Sequence, residues 1–258
     1  MPVPSYDHIP ARWSDLTREL DAWAAAGRQA TFWWRDDDAT RPGPALDRLL
    51  KIVDARPISL AVIPAGATSG LARVVDENPN IAVLQHGYSH ANHAPDGEKK
   101  SEFGAHRPLQ TMLQEVAEGR EQLTSLFGSR FLSVFVPPWN RLADLVAAEL
   151  GTCGVLAVSA FGRRNPGATP RRLNCHIDIV NWRGDRGFLG TGAVLDALVS
   201  LLTEFRTSSA KNTEPVGLLT HHRDHDEGCW QFLEDLMTVS ADHPGAHWIS
   251  ATAGIADG

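Results

Sequence analysis

Cysteine, basic charge and long apolar runs are all scarce in this sequence. The 258 residues include only three cysteines, Cys153, Cys175 and Cys229, and none forms a C-x-x-C pair. So sparse and odd a set excludes a disulfide framework and is typical of a reducing compartment. Lys and Arg number 24 against 31 Asp and Glu, which gives a formal charge of −7. We therefore expect neither a nucleic-acid nor a membrane partner, because both favour a basic protein face.

The sequence also shows no recognisable targeting signal and no linker. The first 20 residues have no basic start followed by an apolar run, so we expect no signal peptide. No apolar stretch approaches the roughly 18 residues of a membrane span. The chain has no internal repeat, low-complexity segment or Pro/Gly/Ser linker. These absences predict a soluble, cytoplasmic protein with one domain over residues 1–258, in which residues 1–27 form an N-terminal helical extension.

Short apolar runs alternate along the chain with segments of helical periodicity. The runs are continuously apolar, which is typical of strands buried on both faces of a parallel sheet. The predicted strands cover residues 29–34, 58–64, 81–86, 131–137, 154–159, 175–180 and 216–221. The predicted helices cover residues 11–26, 44–55, 109–127, 142–151 and 193–205. Repeated β-α units of this number predict an α/β fold, either a closed or nearly closed barrel or an open doubly wound sheet.

Polar side chains cluster just after the predicted strands. Aspartates follow the first strand and histidines follow the third and the last, while "PPWNR" follows the fourth and Asn181 and Trp182 follow the sixth. In parallel β/α folds the carboxyl ends of the strands face one side, and that side holds the active site. Five polar groups at five strand ends therefore indicate a functional site more strongly than any single motif does.

The stretch "FWWRDDDAT" (32–40) places Asp36, Asp37 and Asp38 next to one another. Adjacent like charges repel, and a bound divalent cation would offset that repulsion. One aspartate can bind such an ion while a neighbour accepts a proton from water. Capping of a following helix is the alternative, and it accounts for one aspartate but not for three.

The segment "HGYSHANH" (86–93) contains His86, His90 and His93. Two imidazoles four residues apart can converge on one ion if the segment turns helically. Two imidazoles, a carboxylate and an open position for water form a common catalytic zinc site, although cobalt, nickel, manganese or iron would also fit these ligands. Eleven histidines make chance pairs easy, so loop histidines that cap backbone groups remain an alternative.

Late in the chain, either His221 or His222 can protonate a leaving group.

Taken together, five segments resemble the ordered motifs of the polysaccharide deacetylase family, which are metal-dependent carbohydrate esterases. The segments are "WRDDDA" (34–39), "HGYSH" (86–90), "FVPPWN" (135–140), "DIVNW" (178–182) and "LTH" (219–221). The resemblance implies a single distorted (β/α)7-type barrel with an Asp-His-His site for a divalent metal, zinc foremost. It also implies a hydrolase that removes acetyl or similar acyl groups from an amino sugar or a related amide or ester. The expected partner is thus a small carbohydrate or acylated small molecule.

The resemblance also assigns roles by position. The implied residues are Asp37 as the base that activates water, Asp38, His86 and His90 as metal ligands, and His221 as the catalytic acid. Leu219 would line the acetyl pocket. Further substrate contacts are expected from Trp139, Asn140, Arg141 and Trp182. Arg35, Asp36, His93 and His222 are additional candidates without a fixed role.

Three positions depart from the family pattern. Gly87 replaces Ser or Thr in the second motif. Val136 stands where the third motif has an arginine that orients the base, so Arg35 or Arg141 would have to replace it. Asn181 replaces the second aspartate of the fourth motif, so the partner that tunes the acid is either lost or moved to Asp224 or Asp226.

These departures keep other functions open. One is a non-catalytic carbohydrate-binding or regulatory barrel, and another is metal-dependent hydrolysis of a different C–N bond such as a cyclic imide. Asp36 is expected to hold the turn or to pair with Arg35 or Arg141. The oligomeric state is left open by the sequence.

Overall fold

The computed structural model describes residues 10–165, 167–208 and 214–256. The predicted N-terminal extension contains a helix, and residues 1–9 of that prediction lie outside the described residues. The helices are α1 (Trp13–Ala25), α2 (Pro44–Val53), α3 (Ser69–Glu77), α4 (Leu109–Phe127), α5 (Asp144–Glu149), α6 (Thr191–Thr207), α7 (Glu227–Ser240) and α8 (Ala251–Ala256). The strands are β1 (Ala30–Ala39), β2 (Ile58–Val62), β3 (Ile81–His86), β4 (Phe131–Val136), β5 (Ala157–Val158), β6 (Arg171–Arg172), β7 (Ile177–Asp178), β8 (Val216–Thr220) and β9 (Ala246–Trp248).

The strands form a parallel sheet in the order β6-β5-β4-β3-β2-β1-β8-β7. Strands β6 and β7 belong to one extended segment, which pairs first with β5 and then with β8. Between them, Cys175 N donates to the Ala160 carbonyl at 2.9 Å and His176 N donates to the Gly217 carbonyl at 2.7 Å. The sheet therefore curves into a distorted (β/α)7-type barrel, as predicted. Strand β9 pairs with the first residues of β1.

Side chains of β1 alternate between the barrel interior and the surrounding helices, as the two-residue period of a strand requires. Trp33 belongs to an interior cluster, and its indole nitrogen donates to the Asn174 carbonyl at 3.0 Å. Phe32 and Trp34 belong to the cluster that packs beneath the helices. From Phe32 to Asp37, odd-numbered residues of β1 therefore reach the interior, and even-numbered residues reach the helical layer. The pairing with β2 shifts register between Asp36 and Ala39, so Asp38 does not follow this alternation.

The predicted elements are confirmed where the pattern is long or continuous. Strand β3 and helix α4 have the predicted bounds. Strand β1 is longer than predicted and runs through the aspartates to Ala39, because its backbone pairing with β2 continues there irrespective of side-chain charge. Helices α3 and α7 were not predicted. The segments 232–237 and 247–250 lie in or beside α7 and β9 and are largely buried.

Short 3-10 turns follow three of the strands at the carboxyl end of the barrel. Pro64–Gly66 follows β2, Pro138–Asn140 follows β4, and His222–Asp224 follows β8. These turns keep the chain close to the barrel mouth, so side chains just beyond the strands converge there. Among the described residues, no helix is long and apolar enough to cross a membrane.

Candidate active site

Asp38, His86 and His90 converge at the barrel mouth. Asp38 Oδ1 lies 3.1 Å from His86 Nε2 and 3.3 Å from His90 Nε2. One potential ligand atom from each residue lies within 4.8 Å of the other two. The cluster joins the end of β1 to the end of β3 and the loop that follows it, which are about fifty residues apart in the sequence.

The orientation of His86 is fixed by the backbone of β4. His86 Nδ1 lies 3.1 Å from the Val136 carbonyl oxygen. Because a carbonyl only accepts hydrogen bonds, Nδ1 carries the proton and donates it. Burial lowers the pKa of His86, but the carboxylates of Asp37 and Asp38 outweigh that effect and raise the pKa. When the ring is neutral, Nε2 is its unprotonated nitrogen, and it faces Asp38 with its lone pair available to a cation.

The three residues suit a divalent cation. Asp38 Oδ1 is buried and has no hydrogen-bond partner among the described residues. Burial raises the pKa of Asp38, but the imidazoles of His86, His221 and His90 outweigh that effect, so the pKa lies well below its ordinary value. Burial and the charge of His86 lower the pKa of His90, which favours its neutral ring. A carboxylate and two imidazoles with space beside them form a donor set that fits zinc or a related ion, which binds the rings in their neutral form.

Arg35 and Asp37 form a buried pair beside this cluster. Arg35 Nη2 donates to Asp37 Oδ2 at 3.0 Å, and Arg35 Nε lies 2.8 Å from Asp37 Oδ1. Arg35 also donates to the Ser159 carbonyl at 2.9 Å, to Ser159 Oγ at 2.7 Å and to Asn140 Oδ1 at 2.9 Å. Asp37 Oδ1 has no partner with hydrogen-bond geometry within the described part of the chain, and its one close polar contact is the ion pair with Arg35 Nε. Of the two arginines that could replace the one missing at Val136, Arg35 is the one that contacts Asp37.

His221 lies on the other side of Asp37. Its Nε2 is 3.9 Å from Asp37 Oδ2, and its ring meets Trp182 edge-on with a centroid distance of 4.6 Å. Trp182 Nε1 donates to Asp178 Oδ2 at 2.8 Å. Burial raises the pKa of Asp178, although the nearby His221 opposes that shift. A basic ring and two carboxylates therefore share the same side of the cleft.

Asp36 and His222 face away from the cleft, towards the helical layer. Asp36 Oδ1 pairs with His222 Nδ1, while Asp36 Oδ2 accepts from Thr220 Oγ1 at 2.6 Å and from His222 N at 3.0 Å. Burial lowers the pKa of His222, but Asp36 outweighs it and raises the pKa. The prediction that Asp36 pairs with Arg35 or Arg141 is therefore wrong, because the Asp36 side chain lies on the opposite face of β1 from Arg35 and pairs there with His222. Of His221 and His222, only His221 lines the cleft.

The cleft has a volume of about 660 Å³ and contains most of the predicted site residues. Trp139, Asn140, Arg141 and Trp182 line it together with the ion cluster, Asp37 and His221. The Trp139 ring packs against His90 with a centroid distance of 4.4 Å. Six described residues other than glycine have a positive φ, and five of them line this cleft, namely Asp38, His90, Trp139, Asn140 and Arg186. Backbone strain is thus concentrated at the site, as is typical of functional regions.

Other candidates lie outside the cleft. Leu219 is fully buried in the interior cluster beneath it, and Trp33 and Trp34 are core residues. His93 is exposed and belongs neither to the ion cluster nor to the cleft lining. Asp224 pairs with Arg186, and Asp226 caps α7 by accepting from Cys229 N at 2.9 Å. The prediction that one of these two aspartates tunes His221 is therefore wrong.

Glu102 is a site residue that sequence reasoning missed, because it lies in a polar stretch that reads as a solvated loop. It is fully buried, and its carboxylate accepts from Tyr88 N at 3.2 Å, Ser89 N at 2.7 Å and Ser89 Oγ at 2.9 Å. Gly87 has a φ of 56°, and a Cβ placed there would lie 2.1 Å from Glu102 Oε2. This carboxylate occupies the space that the side chain of the family's Ser or Thr would need at position 87. Nothing in the sequence distinguishes Glu102 from the exposed Glu98 nearby.

Solved structures with the same architecture include several carbohydrate esterases. A putative polysaccharide deacetylase from Mycobacterium smegmatis aligns over 97% of this chain and 93% of its own, with 15% identity and a TM-score of 0.60. A family 4 acetyl xylan esterase from Clostridium thermocellum, in complex with a cobalt ion, aligns over 88% and 90% with 12% identity and a TM-score of 0.56. A family 4 carbohydrate esterase from Streptomyces lividans, in complex with acetate, aligns over 87% and 95% with 13% identity and a TM-score of 0.56.

No protein-family model matches the sequence, and no curated protein matches it either. At identities this low, the structural likeness shows the fold, which is that of the family 4 carbohydrate esterases and polysaccharide deacetylases. The activity of this chain has to be argued from its own residues.

Proposed function

We propose that this protein is a divergent polysaccharide deacetylase, a metal-dependent hydrolase that removes acetyl or similar acyl groups from a small amino sugar or a related amide or ester. One observation carries the proposal. The cluster of Asp38, His86 and His90, which could hold an ion, shares a cleft with Asp37 and with His221. Ligands, a base and an acid within one cleft are the parts that acyl hydrolysis needs.

A divalent cation held by Asp38, His86 and His90 would supply Lewis acidity toward the acyl carbonyl and lower the pKa of water. Zinc is the ion we propose first. Asp37 then serves as the general base, and its Oδ1 accepts the proton of the attacking water. Arg35 holds the Asp37 carboxylate in one orientation through contacts with both of its oxygens.

His221 acts as the general acid in this proposal. Its Nε2 lies 3.9 Å from Asp37 Oδ2 in the cleft that also holds the ion cluster. In this proposal it donates a proton to the departing nitrogen or oxygen. The carboxylate of Asp178 on the same side would stabilise the positively charged ring before that transfer. Trp182 limits the movement of the His221 ring by packing against its edge. We place this activity in the cytoplasm, where the substrate would be a small molecule and not an intact extracellular polymer.

The test combines metal binding with a substrate panel. Purified protein reconstituted with zinc, cobalt, nickel or manganese would be assayed against N-acetylglucosamine, its short oligomers, an acetyl ester and a cyclic imide. Asp38→Asn should weaken metal binding by at least about tenfold in a chelator competition and reduce hydrolysis in parallel. His93→Ala is the matched control, because this exposed histidine lies outside the cluster.

Three outcomes would contradict the proposal in different ways. Full hydrolysis by the Asp38→Asn protein without metal would remove the metal from the mechanism. Tight metal binding without hydrolysis of any acyl substrate would favour a non-catalytic, ligand-binding barrel. Hydrolysis of the cyclic imide alone would keep the site and change the reaction.

A further inference from the structure

A second concavity continues from the cleft beyond Trp182. It has a volume of about 570 Å³ and shares Trp139, Asn140, Arg141, Asp178 and Trp182 with the cleft. Its further lining is largely apolar and includes Phe161, Val180, Leu189 and Val194. We call this second concavity the apolar groove. Because the walls are shared, a molecule bound at the ion cluster can extend into the groove without leaving the protein surface.

Apolar exposure in this protein is concentrated at the apolar groove. Within the described part of the chain, five large hydrophobic side chains are exposed, and three of them line the groove, namely Phe161 at 47%, Trp182 at 39% and Leu189 at 42%. A contiguous apolar surface beside a polar cleft is typical of a binding site, whereas scattered apolar residues are not. The groove is therefore suited to bind an apolar group of a ligand.

The position of His221 decides which part of a substrate reaches the groove. The edge of the His221 ring meets Trp182, which stands at the junction of cleft and groove. A general acid must lie next to the atom that leaves. The amine or alcohol released by hydrolysis would thus lie on the groove side, and the acyl group would lie towards the ion cluster.

We propose that the apolar groove binds an alkyl chain or aromatic ring carried by the leaving group of the substrate. This inference rests on the proposed function, because it uses His221 as the acid. The substrate class becomes an acylated amine or alcohol with a substantial apolar substituent, such as an alkyl or aryl glycoside of an acetylated amino sugar. A bare acetylated sugar would fill the cleft and leave the groove unused.

The size of the effect follows from burial of apolar surface. A fully buried methylene strengthens binding by about fourfold. The groove is open on one side, so an octyl substituent should gain less than that per carbon. We expect an octyl glycoside to bind at least about tenfold more tightly than the methyl glycoside.

The experiment measures binding separately from hydrolysis. Isothermal titration of the metal-loaded protein would compare octyl β-glucoside, below its micelle concentration, with methyl β-glucoside. Phe161→Ser and Leu189→Ser should each reduce the preference for octyl by at least about threefold. Leu156→Ser is the matched control, because Leu156 is 69% exposed and lies outside the groove. Circular dichroism of each variant would show whether the fold is retained. Because there are two groove variants, the comparison remains possible if one of them does not fold.

Equal affinity of the wild-type protein for the two glucosides would overturn the inference, even if acetyl substrates were hydrolysed. An octyl preference lost in both groove variants but kept in Leu156→Ser would support it, even if no acyl group were removed. A second copy of the chain is the competing occupant. If light scattering found a dimer that Leu189→Ser dissociated, the groove would be an interface and the inference would be wrong.

Discussion

Arg35 and Asp37 lie two residues apart on β1, and the guanidinium of the first contacts both carboxylate oxygens of the second. Side chains at i and i+2 share a face of a strand, so both project into the barrel interior. Arg35 is fully buried and Asp37 is 2% exposed. In the family pattern the orienting arginine comes from the fourth strand, where this chain has Val136. In this chain the arginine beside the proposed base comes from the same strand as that base.

Replacing Arg35 with Lys should lower kcat/KM by about 100-fold or more in an acyl-hydrolysis assay. An ammonium cannot contact Asp37, Ser159 and Asn140 together, because it lacks the planar fork of a guanidinium. Lysine keeps a positive charge next to Asp37 but does not hold its carboxylate in one orientation. The decrease in kcat/KM should therefore come mainly from kcat. Arg73→Lys on the exposed face of α3 is the control. Activity near the wild-type value in Arg35→Lys would mean that the guanidinium of Arg35 is not needed to orient the Asp37 carboxylate.

The two adjacent histidines should respond differently to substitution. His221→Gln should reduce kcat by about 10²–10⁴-fold while leaving metal affinity and folding stability near wild type. His222→Gln should destabilise the protein by about 3–5 kcal/mol, because it leaves the buried carboxylate of Asp36 without its cationic partner. Urea unfolding and steady-state kinetics on both variants would separate the roles. A large loss of stability in His221→Gln with full activity in His222→Gln would reverse the assignment.

Gly87 and Gly97 offer a matched pair of substitutions. Both have a positive φ, 56° and 83°, so alanine should cost about 1–2 kcal/mol at either position through backbone strain. At Gly87 the new Cβ would also meet Glu102 and Pro138, whereas at Gly97 nothing lies within 4 Å. We expect Gly87→Ala to be about 1–3 kcal/mol more destabilising than Gly97→Ala. It should also weaken metal binding, because His86 and His90 flank the strained loop. If urea unfolding showed the same loss of stability in Gly87→Ala and Gly97→Ala, the Glu102 side chain would be able to move away from the new Cβ at little cost.

His225 should make stability depend on pH. Burial lowers the pKa of this side chain to about 4, although Asp36 opposes the shift. Between about pH 6.5 and 4 the unfolded chain binds a proton that the folded chain does not, so stability falls as the pH is lowered through this range. The contribution lost by pH 4 is about 3 kcal/mol. His225→Gln should flatten this part of the stability curve, measured as urea midpoints at several pH values. His247→Gln, an exposed histidine on β9, is the control, and a wild-type slope in His225→Gln would contradict the prediction.

The sequence pattern predicted an α/β fold, either a barrel or an open sheet, and the region of the site. The resemblance of five motifs to a known family selected the barrel. Continuous apolar runs and helical periodicity depend on local burial, so they predicted β3 and α4 to the residue. Polar groups at successive strand ends predicted one shared cleft, because parallel strands end on the same side. The spacing of His86 and His90, with aspartates at an earlier strand end, pointed to the cluster in which they now meet Asp38.

Only the tertiary structure decided which neighbours each candidate contacts. Alternation along β1 sends Asp37 inward and Asp36 outward to His222, and that register depends on pairing with β2 and β8, which are distant in the sequence. The burial of Glu102 beneath the loop 86–90 and the joining of cleft and groove at Trp182 are likewise contacts between distant segments. The sequence shows which side chains are present and with what period they repeat. The packing of distant segments determines which groups each side chain contacts, because desolvation and hydrogen bonding depend on what surrounds a group in space.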